Sequence, residues 1–407
     1  MTEYKRGQLS AHFQDVAVKK LSAVETTPTK SNQHEFNGSK PLRQLLGDDD
    51  RKGIPTRFLW LADEQEGITE DGYLSWYDSR RNVAHRSAEY RLYYPGNAVS
   101  ELMNEGDTVF LANRPDGTMM VIVTPAGSTV QNQLLWMFGV DQPELDFQVR
   151  DIKKDADQLD FAARYILDEI GIEPEEPEAD WLDGILEQFG SKFPTTKVFS
   201  ELARSSLKDV DARDDADTVL MAWLEQEELM FRRLERLVVS ERLKAGFVAD
   251  ESADVDGFLA FSLHVQNRRK SRIGLSFEHH LGALFDARGI RHTRGAITEK
   301  NSKPDFLFPG IAEYRDAAFP EAKLTLLAAK STCKDRWTQV LAEAERIKEK
   351  HLITLEPSIS LNQTDKMKAN DLRLILPLKL HKTYLPEQQS WLMNVKDFVS
   401  IVSDRQQ

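Results

Sequence analysis

The chain has 407 residues, 41% hydrophobic and 29% charged, which is core material for two or three soluble domains. Its net charge of −13 argues against indiscriminate nucleic-acid binding, and its single cysteine, Cys333, excludes an intramolecular disulfide or a cysteine-built zinc site. No apolar run approaches the ~18–20 residues that span a bilayer, and MTEYKRGQLSAHFQD lacks a signal peptide's apolar segment, so a cytoplasmic protein with no membrane partner is expected.

Charge is segregated along the chain. Residues 168–180, DEIGIEPEEPEAD, hold seven acids and no Lys or Arg, whereas residues 264–303 hold nine Lys or Arg and three acids. A local basic surface therefore survives the acidic total.

The N-terminal part reads mainly as β-structure. RFLWLA (57–62), YLSWYD (73–78), YRLYYP (90–95), TVFLAN (108–113) and MMVIVTP (119–125) are short aromatic or β-branched runs. Asp71-Gly72, Pro95-Gly96 and Pro115-Asp116-Gly117 punctuate them, and strands at this spacing predict a small barrel or pseudobarrel. LLWMFGV (134–140) is ambiguous between strand and helix. The pattern then turns helical with DADQLDFAARYILDEIG, before a Pro- and Glu-rich linker at 171–180. Residues 215–246 read as a long amphipathic helix or helix pair, with Leu220, Trp223, Leu224, Leu234, Leu237 and Val238 toward a core. Beyond them come a helix at 275–289, strands at 305–310 and 323–330, a helix at 335–351, and strands at 351–356 and 372–377. That alternation predicts an α/β domain with a mixed sheet.

LLAAKSTCKDRW (326–337) concentrates the chemistry. An apolar strand ends abruptly in Lys330, and Pro304-Asp305 opens a strand 25 positions earlier. A carboxylate and an ammonium at adjacent strand ends can meet within hydrogen-bond reach. The carboxylate can hold Mg2+, which takes few protein ligands and keeps its waters. Such a metal polarises a phosphoryl oxygen and generates hydroxide, while the lysine orients the water and offsets charge on phosphate. Read alone, Lys330 is as well a surface charge where a buried strand meets a solvated helix. A second acid two residues before the lysine would tighten the site, but that position is Ala328. On the predicted helix, Arg336, Val340 and Glu343 share a stripe, so Glu343 can point back to the strand ends. Glu345 and Glu349 read as solvated, and Glu343 taken alone fits an ordinary surface acid equally.

NRRKSRIGLSFEHHLGALF, AITEKNSKPDFLFPG and AAKSTCKDRWTQVLAEAERI together closely resemble the catalytic domain of the EcoRII-like restriction endonucleases. These are PD-(D/E)xK nucleases in a subgroup whose second acid has moved onto the helix. The resemblance implies that Asp305 and Glu343 hold Mg2+, that Lys330 is the catalytic lysine, and that Tyr314 matches a family tyrosine near the site. It further implies that Lys334, Asp335 and Arg336 read CC/GG edges in the major groove. Arg336 would fork onto guanine O6 and N7, Asp335 would accept from cytosine N4, and Lys334 would reach guanine or a phosphate. Arg268, Arg269, Lys270 and Arg272 would contact phosphates, against the plainer reading of a solvated basic turn. Glu278, in an S-x-E helix start, would serve base contact or the metal network. Cys333 reads as a small packed residue, and the adjacent His279 and His280 as structural, because a helical zinc pair is spaced by four.

VKKLSAVETTPTKSNQHEF (18–36) and WYDSRRNVAHRSAEYRLYYPG (76–96) resemble, less closely, the two DNA-gripping arms of the family's N-terminal pseudobarrel, a fold shared with plant transcription-factor domains. By that resemblance Arg86, Glu89 and Arg91 lie on the arm that approaches bases, with Arg80 and Lys20 nearby. A surface-charged hairpin is the plainer alternative.

The resulting expectation is a multidomain chain. A mainly-β DNA-binding pseudobarrel would occupy 1–165, an acidic linker 166–182, and an α/β restriction-endonuclease-like domain with a central mixed sheet 183–407. The resemblance implies Mg2+-dependent hydrolysis of double-stranded DNA at a CC…GG, CCWGG-like site by a homodimer, leaving 5′-phosphates. The N-terminal domain would bind effector DNA and regulate cleavage, and a cognate methyltransferase encoded nearby would protect the host. A modification-dependent nuclease and a non-cleaving DNA-binding regulator or defence-complex subunit are the alternatives.

Overall fold

The computed structural model describes residues 7–26, 34–63, 67–81, 85–153, 159–174, 184, 187–190, 192–249, 252–333 and 336–407, with Gln188, Ala249 and Lys270 described by backbone alone. They form two units, Met1–Glu175 with Pro357–Gln363, and Glu176–Glu356 with Thr364–Gln407.

In the first unit eight strands build one sheet: β1 (Asp15–Lys20), β2 (Glu35–Asn37), β3 (Arg51–Trp60), β4 (Ile68–Asp78), β5 (Tyr90–Tyr93), β6 (Thr108–Asn113), β7 (Met119–Thr124) and β8 (Gln148–Asp151). Their order is β2-β5-β4-β3-β7-β6-β1-β8, and every pair is antiparallel except β3 with β7. The five strands expected from aromatic and β-branched runs are all present. β1, β2 and β8 are short and mix charged with apolar residues, so composition does not announce them.

Side-chain alternation sends Ala17 to one core, with Phe36, Phe58, Trp76 and Tyr94, and sends Val16 and Val18 to another, with Phe110, Ile122 and Leu134. Covered on both faces, β6 and β7 are buried at every position. The Phe36 ring on edge strand β2 lies 5.9 Å from that of Phe147, which leads into the opposite edge strand β8. The sheet therefore curls until its two edges share one core.

Short helices α1 (Ala23–Thr26) and α2 (Lys40–Leu46) precede β3, and the ambiguous 134–140 stretch falls mostly in helix α3 (Thr129–Phe138). Ser128 caps the helix by accepting from Gln131 N, and Asp63 accepts from Thr129 N and Val130 N at 2.9 and 3.3 Å. Gly139, at φ 65°, closes it. These end signals decide for helix, and α4 (Phe161–Glu169) packs Ile166 and Leu167 into the same core.

The second unit begins with α5 (Thr196–Ser206), α6 (Ala216–Ala245) and α7 (Val255–Ala287). Two-residue strands β9 (Val248–Ala249) and β10 (Ser252–Ala253) pair between α6 and α7. A mixed sheet follows from β11 (Thr293–Arg294), β12 (Phe306–Phe308), β13 (Thr325–Lys330), β14 (Lys350–Thr354) and β15 (Leu372–Ile375), in that spatial order. β11, β12 and β13 pair antiparallel, and β13, β14 and β15 parallel. The remaining helices are α8 (Ile311–Arg315), α9 (Trp337–Val340), α10 (Leu361–Ala369), α11 (Pro386–Gln389) and α12 (Val395–Gln406).

Phe285 of α7 lies edge-on to Phe306 and Phe308 at 5.3 and 5.1 Å. Burying a side chain of this size contributes roughly 1.5–3 kcal/mol. Asp217, buried near the start of α6, caps the far helix α12: it accepts from Val395 N and Lys396 N, both at 3.0 Å, and from Leu378 N at 2.8 Å.

One helical expectation is corrected and one is extended. The helix predicted at 335–351 stops after the single turn of α9; residues 341–349 run as turns and bends, and Ala344 takes φ 48°, in the left-handed region that an α-helix does not visit. The helix predicted at 275–289 is the end of α7, which reaches back to Val255. Arg268, Arg269 and Arg272 therefore lie within a helix and not on a basic turn.

Candidate active site

Antiparallel pairing of β12 with β13 sets Phe306 against Leu327, and so brings Asp305 beside the end of β13. Asp305 Oδ2 accepts from Ala329 N at 2.8 Å and from Lys330 Nζ at 2.9 Å. The backbone bond orients the carboxylate, and the carboxylate orients the ammonium. Both side chains stay partly exposed, at 15% and 23%, so a ligand can reach them. Ala328, on the same strand face as Lys330, is fully buried.

Glu343 arrives from the turn after α9, where its N–H donates to Val340 O at 3.1 Å. Its Oε2 is buried and has no hydrogen-bond partner among the described residues. Burial pushes its carboxyl up to about 7; Lys330 pulls it down, Asp305 pushes it up and Lys350 pulls it down. Glu343 thus shares the electrostatic environment of the Asp305–Lys330 pair, but from a turn and not along a helical stripe with Arg336 and Val340.

These donors fit a hard divalent cation. Mg2+ takes one or two carboxylates and completes its shell with water and phosphate oxygens. Asp305 and Glu343 supply two carboxylates, and the buried Glu343 Oε2 is an acceptor without a donor among the described residues. Among the described residues no three His, Cys, Asp or Glu side chains are grouped to hold a metal by themselves.

Tyr314 on α8 is buried, and its hydroxyl donates to Glu299 Oε2 at 2.6 Å. It therefore supports Glu299 and does not bond Asp305 or Lys330. Arg346 donates to the carbonyls of Tyr314, Asp316 and Phe319, the last two at 3.0 and 3.1 Å. Glu278 pairs with Arg294 at 2.9 Å, and Arg294 also meets His279 Nδ1 at 3.1 Å. Arg294 stands opposite Phe306 in the sheet, one residue from Asp305.

The basic cluster divides by burial. Arg272 is 6% exposed, donates to Glu227 Oε1 at 2.7 Å, and lies over the rings of Phe199 and Phe231 at 4.2 and 4.5 Å. A guanidinium enclosed in this way has no face left for a phosphate, which corrects its expected DNA contact. Arg269 donates to Glu235 at 2.7 Å, and Arg268 lies 4.0 Å from the Phe193 ring centre; both keep partial exposure. The Lys270 side chain lies outside the described atoms.

His280 is fully buried, with Nδ1 3.1 Å from an Arg204 donor and Nε2 2.9 Å from Glu227 Oε2. Burial lowers its pKa. Burial alone would raise Glu227, but His280, Ser200 and Arg272 outweigh it and hold the carboxyl at about 2. These contacts are internal to the helical layer, in keeping with a structural His280.

Of the expected base-reading cluster, Lys334 and Asp335 lie outside the described residues. Arg336 is exposed and donates to Thr332 Oγ1, and Cys333 is buried. In the first unit Asp78 Oδ1 accepts from Arg80 N at 3.0 Å and Glu89 N at 2.8 Å, pinching together the two ends of the arm. Glu89 bridges Arg80 and Arg91, and Arg91 also donates to Asn37. Arg86 is exposed on the arm, and Lys20 is exposed at the end of β1.

Sequence reasoning missed Lys350, whose ammonium donates to Glu343 O and, at 2.8 Å, to Ala344 O. The available signal was a lysine opening an apolar strand, the mirror of Lys330 closing one. Glu299 was missed too, because nothing in its local sequence indicates the Tyr314 bond.

Residues 231–399 match the family model described as EcoRII C terminal. The chain is 40% identical over 215 residues to the type II restriction enzyme EcoRII of Escherichia coli, covering 53% of this chain and 52% of that protein. It is 30% identical over 152 residues to the type II restriction enzyme SsoII of Shigella sonnei, covering 33% and 48%. The chain thus spans about half the length of these relatives. Among solved structures, metal-depleted Ecl18kI in complex with uncleaved, modified DNA is similar with a TM-score of 0.45 and 17% identity, over 56% of this chain and 83% of that one. A PspGI–substrate DNA complex gives 0.42 and 15%, over 52% and 93%.

Proposed function

From the match of residues 231–399 to the EcoRII C-terminal family model we propose that this chain is a type II restriction endonuclease hydrolysing phosphodiester bonds of double-stranded DNA. The observation that carries the reading is the convergence of Asp305, Lys330 and Glu343 on the end of β13. Its two relatives named above are type II restriction enzymes, and the matched segment contains all three residues.

Mg2+ is the proposed cofactor, with Asp305 and Glu343 as its protein ligands; bound there, it would polarise a phosphoryl oxygen and acidify a water. Lys330, held by Asp305, presents its positive charge to the phosphate as negative charge develops. Tyr314 acts one layer out, through Glu299 and the segment that Arg346 pins. Glu278, neutralised by Arg294, supports the strand that carries Asp305.

For specificity we propose that Lys334, Asp335 and Arg336 read a CC…GG, CCWGG-like site, with Arg268, Arg269 and Lys270 on phosphates. A two-fold site is read by a homodimer, one active site per strand. The curled sheet of the first unit would be a DNA-binding pseudobarrel, with Lys20, Arg80, Arg86, Glu89 and Arg91 facing a second DNA copy and gating cleavage. The enzyme would work in the cytoplasm beside a protective methyltransferase.

The test is cleavage of unmethylated phage DNA with Mg2+, wild type beside Asp305→Ala, with the ends sequenced. Discrete 5′-phosphorylated fragments that the variant does not make are expected. Intact DNA in the presence of folded, duplex-binding protein would overturn the reading. For gating, deletion of residues 1–180 is expected to raise cleavage of single-site DNA, and a truncation as slow as the full chain would refute it.

A further inference from the structure

Glu343 stands on a segment whose composition favours helix. WTQVLAEAERIKEK is rich in Ala, Leu, Glu, Lys and Arg, all strong helix formers. Yet the helix ends at Val340, and Ala344 sits at φ 48° without being glycine. Something outside the segment's own propensity holds residues 341–349 in this path.

Lys350 is placed to do so. It is 4% exposed at the first position of β14. Its backbone is fixed by an N–H bond to Asp371 O at 3.0 Å and by parallel register with Leu372. From this anchored start its side chain returns to the preceding turn, where Nζ donates to the carbonyls of Glu343 and Ala344. The two carbonyls flank the strained residue, and one belongs to the carboxylate-bearing residue itself. Had the helix continued, both would have accepted from N–H groups four residues on. The ammonium stands in for the missing helical donors with one charged group anchored in the sheet, beside the Ile347 N–H that the Ala344 carbonyl also accepts at 2.9 Å. A buried ammonium without such partners would be costly, so the fold and the lysine depend on each other. Arg346 holds the segment from its other side through the carbonyls of Tyr314, Asp316 and Phe319.

We propose that Lys350 is a positioning residue for the nuclease reaction: by bonding the Glu343 and Ala344 carbonyls it breaks the helix where the second carboxylate must turn toward Asp305 and Lys330. The inference rests on the reading of Asp305 and Glu343 as a divalent-metal pair. Lys350 touches neither substrate nor metal; it sets where Glu343 Oε2 stands.

The experiment is Mn2+ binding to the full chain without DNA, followed by electron paramagnetic resonance, for wild type, Glu343→Gln, Lys350→Met, Lys350→Arg and the double variant Glu343→Gln/Lys350→Met. Lys350→Met keeps the length and apolar bulk of the side chain but removes its donors. It is expected to weaken Mn2+ binding by about 10–100-fold, the usual effect of losing a residue that orients a ligand, with unchanged circular dichroism. Lys350→Arg, which can still bond both carbonyls, is expected to recover most of that loss. The double variant is expected to bind no more weakly than Glu343→Gln alone, because the lysine acts through that carboxylate. A general loss of structure would instead add to it. Wild-type affinity in Lys350→Met, with Glu343→Gln weakened, would overturn the positioning role alone. Wild-type affinity in Glu343→Gln, or no Mn2+ binding by wild type, would overturn the metal-pair reading and this inference with it. If Lys350→Met does not fold, Lys350→Gln is read in its place against the same outcomes.

Discussion

The Lys330 ammonium lies 2.9 Å from Asp305 Oδ2, the oxygen that also takes the Ala329 N–H. Lys330 is therefore aimed by Asp305, and Asp305 by the strand it neighbours. Asp305→Asn preserves shape but removes the charge that would hold both cation and lysine. Single-turnover cleavage of phage DNA is expected to fall by at least roughly a hundredfold, about 3 kcal/mol of lost charge stabilisation. Circular dichroism should be unchanged.

Glu343 makes the site pH-dependent. Its carboxyl is held at about 7, so it gains the negative charge that a cation needs only as pH rises through that value. Divalent-metal affinity should increase steeply between pH 6 and 8, a window set by that value, and flatten above it. The metal-free protein should show the opposite trend. Because the folded pKa exceeds the ordinary 4.5, this group's contribution to stability is full below 4.5 and is lost as pH rises through about 7. Glu343→Gln should abolish both trends, read by metal titration and by urea unfolding across pH.

Arg272 should behave as a core residue. Arg272→Ala leaves the buried Glu227 carboxylate short of a partner, and breaking such a pair costs about 3–5 kcal/mol. Urea unfolding should show that loss, while the salt dependence of duplex binding by the folded variant stays as in wild type. Arg268→Ala, at a partly exposed position, should instead reduce the salt slope by about one phosphate contact.

Acid should loosen the helical layer in two stages. His280 has a pKa lowered by burial, so its contribution is full above the ordinary 6.5 and is lost as pH falls below that value. Glu227, held at about 2, contributes fully above 4.5 and loses its contribution as pH falls toward 2. The groups that face His280 are Glu227, Arg204 and Arg272, so its protonation adds a charge to an already charged cluster. His280→Gln should flatten the first stage in thermal unfolding between pH 7.5 and 5.5, a window that straddles the ordinary 6.5, and should also shrink the second, because His280 is one of the groups that hold Glu227 down.

What could be read ahead of the structure followed from local pattern. Aromatic and β-branched runs marked five strands of the first sheet, and an apolar run ending in Lys330 marked β13. Asp305 and Lys330 meet because antiparallel neighbours do so in any register that buries Phe306 against Leu327. Where propensity and tertiary contact conflict, the reading failed. Residues 335–351 look helical, but the helix ends at Val340, and side chains from outside the local pattern, Lys350 and Arg346, hold the turn that follows. Arg272 read as a phosphate contact in a basic run because its partner, Glu227, lies 45 positions away on another helix. The 134–140 stretch was undecidable by periodicity, and became helix through a cap from Asp63, whose position no window around α3 includes.

Asp217 has a consequence for biogenesis. Its carboxylate closes on N–H groups of residues 378, 395 and 396, so the cap it makes on α12 cannot form until 179 further residues exist. At the usual 5–20 residues per second, a ribosome needs roughly ten to thirty-five seconds to travel from Asp217 to Lys396. Through that interval the Asp217 carboxylate lacks the N–H donors it accepts from in the folded chain. In a nascent chain this contact between α6 and α12 therefore closes late, after synthesis has passed residue 396.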